Sequence, residues 1–328
     1  MSITGIASLI YGVDDVAEST RFFEDFGLRL EEKNGDVVTF RLREGSSVVI
    51  RRESDARLPK TQMVGTGVRE VVWGVTSQQA LDRLADGLGK DHSLTTDEDG
   101  TVHFTADFGI PMGLRVFEKK PVVSAPDPVN APGRIGRLNQ HRKWRRRAFP
   151  SGISHVVFSI PDYLGGYLFM RDRLGFRLSD DQCGFGCYLR ADGSYNHHNF
   201  LLLNASAPLD GNDGNVRFHH ANFAVEDIDE LMTGANYMAR KGWDKSHFGM
   251  GRHRIDSALF YYLPCPAGGE AEYGADTDYI DDAWVPREWT NPLFAYAHFV
   301  HDLPPFLMNE PSWDMRYLTP EELEAKGR

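Results

Sequence analysis

Three residues of metal-binding type, His155, His220 and Glu272, lie in strand-like segments and are spaced 65 and 52 residues apart. Two imidazoles and one carboxylate hold three positions on one side of a divalent metal and leave the others open to exogenous ligands, as in non-heme ferrous centres. Taken singly, a histidine in a strand is more often a core or surface residue than a ligand. What matters is whether the local pattern turns all three toward a common side. Side chains two apart along a strand share a face. His155, Val157 and Ser159 then oppose an oily face of Val156, Phe158 and Ile160, which should pack on a helix. His220, Asn222 and Ala224 oppose Ala221, Phe223 and Val225, while Glu270, Glu272 and Gly274 oppose Ala271 and Tyr273. Each donor falls on the less apolar face. The same alternation directs His219 away from His220.

The elements that must position these donors come from an internal repeat. Gly5-Ile6-Ala7-Ser8-Leu9-Ile10 aligns with Gly152-Ile153-Ser154-His155-Val156-Val157, and each strand leads into a helical pattern closed by a glycine, Gly27 or Gly175. Glycine at that place ends a helix in the left-handed conformation. A second unit begins in each half: Val68–Val75 resembles Val216–Val225, and the helical stretches Gln78–Leu88 and Asp227–Lys241 follow. At the positions of the three donors the first half has Ser8, Glu70 and, with a one-residue gap, Val116. That set cannot form a His-His-carboxylate site, so the chemistry is expected in the second half alone.

Composition narrows the partners. With 328 residues and a net charge of −11, the chain can bury a sizeable core and lacks the basic surface that nucleic acid or an anionic membrane would require. No apolar run approaches a membrane span, and the N-terminus lacks a signal-peptide pattern. Three irregularly spaced cysteines do not make a disulfide framework, so the cytoplasm is the expected compartment. Cys183-x-x-x-Cys187 encloses Gly184 and Gly186 and reads as a hairpin turn rather than a zinc site, and neither Gly184-Phe185-Gly186 nor Gly249-Met250-Gly251 opens a helix as a phosphate cradle does. Between the halves, residues 121–150 hold Pro126, Pro128 and Pro132 and the basic run Arg142-Lys143-Trp144-Arg145-Arg146-Arg147, read as a solvated linker or a face docking on the acidic body in preference to a nucleic-acid or anion site.

The segments Gly152–Val156, Phe218-His219-His220-Ala221-Asn222-Phe223, Gly249-Met250-Gly251-Arg252-His253-Arg254-Ile255-Asp256 and Pro264–Gly274, ending in Glu272-Tyr273-Gly274, resemble the type I extradiol ring-cleaving dioxygenases of the vicinal oxygen chelate superfamily. That resemblance implies an α+β fold of two vicinal-oxygen-chelate domains, each of two βαβββ modules forming an incomplete barrel. Residues 1–120 would be a structural domain without metal, 121–150 a linker, 151–285 the catalytic domain, and 286–328 a tail packing on it. His155, His220 and Glu272 match the ferrous ligands, and manganese(II) suits the same set. His198 matches the acid/base histidine, with His197 adjacent in the alternative register; Asn199-Phe200-Leu201 fits the motif better after His198. His253 and Asp256 match residues behind the ligands, and Tyr262 a tyrosine that hydrogen-bonds a substrate oxygen.

The implied reaction inserts both atoms of O₂ into a catechol-type aromatic, with meta cleavage to a hydroxymuconic semialdehyde-like product, in a homo-oligomer. Phe200, Phe248 and the tail aromatics are expected to line the pocket, and Arg252, Arg254 or Arg287 could meet a carboxylated substrate. Two other readings accompany this one. A 4-hydroxyphenylpyruvate-type dioxygenase of the same superfamily spaces its ligands more widely. A non-catalytic small-molecule binding protein would lack the full ligand set.

Overall fold

The computed structural model describes residues 2–208, 211–246 and 248–326; Met1, Gly327 and Arg328, at the ends of the first expected domain and of the tail, lie outside the described residues. Four βαβββ modules follow one another. The first runs β1 (Ile3–Val13), α1 (Val16–Phe26), β2 (Arg29–Asn34), β3 (Val37–Arg41) and β4 (Ser47–Arg52). The second runs β5 (Gly67–Val75), α2 (Gln78–Leu88), β6 (Thr95–Thr96), β7 (Val102–Thr105) and β8 (Pro111–Val116). In the second half come β9 (Gly152–Ile160), α3 (Tyr163–Leu174), β10 (Arg177–Gln182), β11 (Gly186–Arg190) and β12 (Phe200–Asn204), then β13 (Arg217–Ala224), α4 (Ile228–Arg240), β14 (Met250–Arg252), β15 (Leu259–Pro264) and β16 (Glu270–Ala275). A tail adds β17 (Arg287–Trp289), α5 (Pro292–Tyr296), β18 (Phe299–Val300), β19 (Arg316–Tyr317) and α6 (Pro320–Ala325). The expected α+β architecture of paired modules is what forms.

Each half is one sheet, in the order β2-β3-β4-β1-β5-β8-β7-β6 and β18-β14-β15-β16-β13-β9-β12-β11-β10-β17-β19. In both, the first strands of the two modules pair antiparallel, β1 with β5 and β9 with β13. The helices start where the sequence supplies caps: Asp15, Asp162 and Asp227 each accept a backbone N–H three residues on, as does Ser77. Such caps contribute about 1 kcal/mol apiece.

One apolar core runs between the halves. Val156, Phe158 and Ile160 lie in it, as the alternation predicts, together with Phe23, Phe26, Trp73, Phe200 and Tyr273. The halves interlock through aromatics: Phe26 stacks on Tyr273 with centroids 4.0 Å apart, and the Tyr273 hydroxyl donates to the Phe26 carbonyl at 2.7 Å. Trp73 meets Phe176 and Phe200 edge-on. Phe200 therefore points into the shared core and does not line a pocket beside the metal candidates, because it shares a strand face with Leu202 and not with Leu201 and Leu203. The basic run docks on the start of α4, where Lys143 and Arg145 both bind Glu226, Arg145 reaches Asp227 at 3.4 Å and Arg142 binds Asp229. Burial pushes the Glu226 carboxyl up, but Lys143, the Ala125 amide and Arg145 outweigh it and hold it down at about 2. Cys183 opens the turn of the β10–β11 hairpin, Cys187 lies in β11, and both are free thiols. Among the described residues, no helix is long and apolar enough to cross a membrane.

Gly27 joins helix, linker and sheet at one point. Its φ of 109° is left-handed, its N–H closes α1 on Phe23 and Glu24, and a Cβ there would lie 2.2 Å from the Ala148 carbonyl oxygen. Gly27→Ala is expected to lower stability by more than about 1 kcal/mol, seen as a lower urea midpoint at constant slope. An unchanged midpoint would mean that the linker does not pack there.

Candidate metal centre

Strands β9, β13 and β16 lie side by side with β13 in the middle. Asn222 pairs with His155 on one side and with Glu272 on the other, while His220 pairs with Val157 and Glu270. The three donors thus come from adjacent strands and one sheet face, two on one level and His220 one step along. Register between β9 and β13 jumps from Phe218–Phe158 to His220–Val157, so His219 is the extra residue of a bulge. A bulge re-aims a side chain. Contrary to simple alternation, His219 does not point away from its neighbour: the two Nδ1 atoms are 2.7 Å apart. With Nδ1 of His220 engaged there, Nε2 is the atom free to coordinate.

The triad is close to equilateral. His155 Nε2 and His220 Nε2 are 3.3 Å apart, and each is 3.3 Å from Glu272 Oε2. Three cis donors at a bond length of about 2.1 Å span edges of about 3 Å, so the cluster needs little adjustment to close on an ion. All three side chains are buried, Glu272 to 1 % exposure. Neither Glu272 oxygen has a hydrogen-bond partner of good geometry. A buried carboxylate without donors is costly unless it is paired or binds metal, and this orphaned pair of oxygens is where the residues fit a divalent cation. Burial pushes the Glu272 carboxyl up, but the His155 and His220 imidazoles outweigh it and hold it well below the usual carboxylate range. Burial, against the pull of Glu272, keeps His155 below the ordinary imidazole value and so neutral, as a ligand must be.

The first half shows the same scaffold without a centre. Ser8 pairs with Val72, and Val72 with Gly113, just as His155 pairs with Asn222 and Asn222 with Glu272. Gly113, and not Val116, therefore occupies the place of Glu272; strand pairing admits no gap there. Ser8 bonds Ser47 at 2.9 Å and Glu70 bonds His103 at 2.6 Å, so both are occupied with neighbours of their own half.

The remaining candidates surround the triad. His198 stacks on His155 with centroids 4.1 Å apart, and its Nδ1 faces His197 Nδ1 at 3.1 Å and Asp256 Oδ2 at 3.9 Å. His197 turns the other way, to Asp180, at 2.5 Å. Of the two histidines, only His198 stacks on a member of the triad. Burial, with the positive charges that His155, His197, His220 and His253 could carry, keeps the His198 imidazole far below its ordinary value. On the opposite flank Tyr262 lies 5.2 Å from the His220 ring, and its hydroxyl is 3.2 Å from His253 Nε2. His253 Nδ1 donates to the Tyr296 carbonyl at 2.6 Å. Burial raises the Tyr262 phenol well above its ordinary value, so it is a neutral donor. Asp256 is buried behind His198, accepting the Ala258 amide at 3.1 Å.

Sequence reasoning did not find Asp180 or Tyr188, whereas Trp289 is one of the tail aromatics expected at the pocket. Tyr188 meets the His198 ring at 5.0 Å, and Trp289 and Phe294 from the tail pack with Val157, Tyr188, Leu201, Leu203 and Ile255 on the inner face. The alternation of β11 and β12 marks these positions as a face, and residues of the tail cover it. Phe248 packs against Tyr296 and Phe306. A cavity of about 640 Å³ lined by Tyr167, Arg177, Ser179, Trp284 and Leu323 among others includes none of the triad.

No protein-family model matches the chain. Over 141 residues it is 36% identical to metapyrocatechase 2 of Cupriavidus necator, covering 42% of this chain and 41% of that one. Over 152 residues it is 31% identical to an iron-dependent extradiol dioxygenase of Rhodococcus jostii (strain RHA1), covering 42% and 48%. The matched stretch thus spans less than half the length of these relatives. Among solved structures, a Mn(II)-bound glyoxalase from Novosphingobium aromaticivorans superposes with a TM-score of 0.71 at 20% identity, over 96% of this chain and 97% of that one. A halotolerant catechol dioxygenase superposes with a TM-score of 0.69 at 18% identity, over 96% and 99%. The resemblance read from the sequence thus holds for the vicinal oxygen chelate fold, and part of the chain is similar in sequence to proteins named as extradiol dioxygenases.

Proposed function

We propose that this protein is an iron(II)-dependent extradiol dioxygenase that opens an uncharged catechol beside its diol, placing both oxygens of O₂ in a hydroxymuconic semialdehyde-type product. The observation that carries the reading is the buried His155–His220–Glu272 triangle with an orphaned carboxylate, flanked by His198 on one side and Tyr262 on the other. The relative named for its iron supports that metal, while the manganese-bound neighbour fits the same donor types. On this reading residues 151–285 are catalytic, residues 1–120 are a scaffold without metal, residues 121–150 link them, and the tail from residue 286 closes the inner face.

The ion would supply Lewis acidity and a common template for diol and O₂. The chain supplies the rest. His198, whose imidazole burial holds below its ordinary value, can take a catechol hydroxyl proton at Nε2 and later return it to the ring-opened product. Tyr262, a neutral phenol whose O–H donates to His253 Nε2, keeps its oxygen lone pairs to accept from the other diol hydroxyl. His253 is itself fixed by the Tyr296 carbonyl, as groups behind a reacting residue must be. Trp289, Phe294 and Tyr188 would exclude water from the face on which the ring lies.

The arginines expected to meet a carboxylate are engaged elsewhere. Arg252 pairs with Asp276 at 2.8 Å, Arg254 donates to the Phe294 and Ala297 carbonyls and lies over the Phe294 ring, and Arg287 binds Asp180. Oxygen uptake by the ferrous-loaded protein is expected to favour alkyl- or aryl-substituted catechols over carboxylated ones by roughly tenfold or more in kcat/KM, the cost of burying an unpaired charge. A carboxylated catechol turned over as well or better would refute the substrate class.

A further inference from the structure

We infer that Asp180 and His197, clamped by Arg287 of the tail, are positioning residues that hold His198 as the Nδ1–H tautomer, with its Nε2 lone pair free. The argument is a count of donors and acceptors. Asp180 and His197 are both fully buried, and His197 Nε2 lies 2.5 Å from Asp180 Oδ2. The other partners of the Asp180 carboxylate are donors that cannot accept: Arg287 through its amide at 3.1 Å, Nε at 2.8 Å and Nη2 at 2.7 Å, and Trp289 Nε1 at 3.2 Å. A carboxylate in that setting only accepts, so the hydrogen between it and His197 resides on His197 Nε2.

The acceptors around His198 fix the next link. Asp256 Oδ2 lies 3.9 Å from His198 Nδ1 and, like Asp180, can only accept, so the hydrogen on this side of the ring belongs to His198 Nδ1. Nδ1 of His197 therefore carries a lone pair, and it faces His198 Nδ1 at 3.1 Å. The only arrangement that bonds the two is donation from His198 Nδ1. Its Nε2 makes no hydrogen bond among the described residues and is left as the proton acceptor. The main chain holds His197 in place too: its N–H donates to the Asp278 carbonyl at 3.0 Å and its carbonyl accepts from Ser179 Oγ. The Trp284 ring, 5.6 Å away, packs edge-on to the imidazole. Strand β17 thus does more than cover the site: through Arg287 it decides which nitrogen of a residue on another element bears the proton.

The catalytic consequence rests on the proposed dioxygenase reading: His198 would enter turnover as a base at Nε2. The tautomer itself does not depend on that reading, which separates the two tests. Full-length protein labelled with ¹⁵N-histidine and loaded with zinc, a diamagnetic probe, is expected to show His198 protonated at Nδ1 and bare at Nε2 in long-range ¹H–¹⁵N spectra. A His198 ring protonated at Nε2 overturns the inference, whatever the enzyme does. In the second arm, His197→Phe and Asp180→Asn are expected to bind zinc with unchanged stoichiometry and to lose the Nδ1–H signature. If the wild type cleaves catechols, both should lose roughly 10²-fold in kcat with KM nearly unchanged, as expected when a base is held in the wrong tautomer. Full kcat in folded variants overturns the inference while leaving the dioxygenase reading intact; a wild type that cleaves no catechol, with the tautomer as expected, removes the reading alone.

Discussion

His220→Ala protein is expected to fold, to bind no iron, and to lose ring cleavage by roughly 10³-fold or more. Outer-shell groups alone cost 10- to 100-fold when removed from metal sites, and on the proposed reading His220 is one of three direct donors, on the central strand of the three. Its loss removes two edges of the 3.3 Å triangle and leaves only the two donors at one level of the sheet, His155 and Glu272. The fold should survive because His220 lies on the polar inner face, away from the aromatic core that joins the halves. Ferrous iron at 100 times its dissociation constant should stabilise the wild type by about 2.7 kcal/mol, and should leave the melting temperature of the variant unmoved. Full activity, or the same iron-dependent rise in melting temperature, would remove His220 from the ligand set.

The second large effect separates chemistry from metal binding. His198→Phe should keep iron at the wild-type stoichiometry and keep KM within a few-fold, yet lose roughly 10² to 10⁴ in kcat, the usual contribution of a positioned acid/base. The stacked ring at 4.1 Å from His155 is replaced by one of similar shape, so the ligand stays supported while the proton acceptor disappears. Metal analysis beside steady-state kinetics checks it. A variant that loses iron and activity together would mean that His198 holds the site rather than acting in it.

How much of this was legible in the chain depends on whether the information is local. That His155, His220 and Glu272 converge was readable because donor type and strand alternation are both local, and the internal repeat of strand and helix patterns exposed four modules. Alternation failed at His219 because a bulge inserts one residue, and the bulge is fixed by pairing between β9 and β13, which a single strand does not encode. Placing Val116 opposite Glu272 failed for the same reason; the register of β5 with β8 selects Gly113. Phe200 was assigned to the wrong side because both faces of β12 are apolar. Asp180 was invisible because it meets Arg287 across 107 residues, a pairing that no local pattern encodes.

The central claim is that the triad sets up insertion of O₂ into a catechol ring, and mass spectrometry of the product formed under ¹⁸O₂ tests it most directly. Ferrous-loaded protein given an uncharged catechol should yield a yellow ring-opened product carrying both labelled atoms, with one O₂ consumed per ring. A product with no label, or no product with iron bound at the triad, would contradict the account.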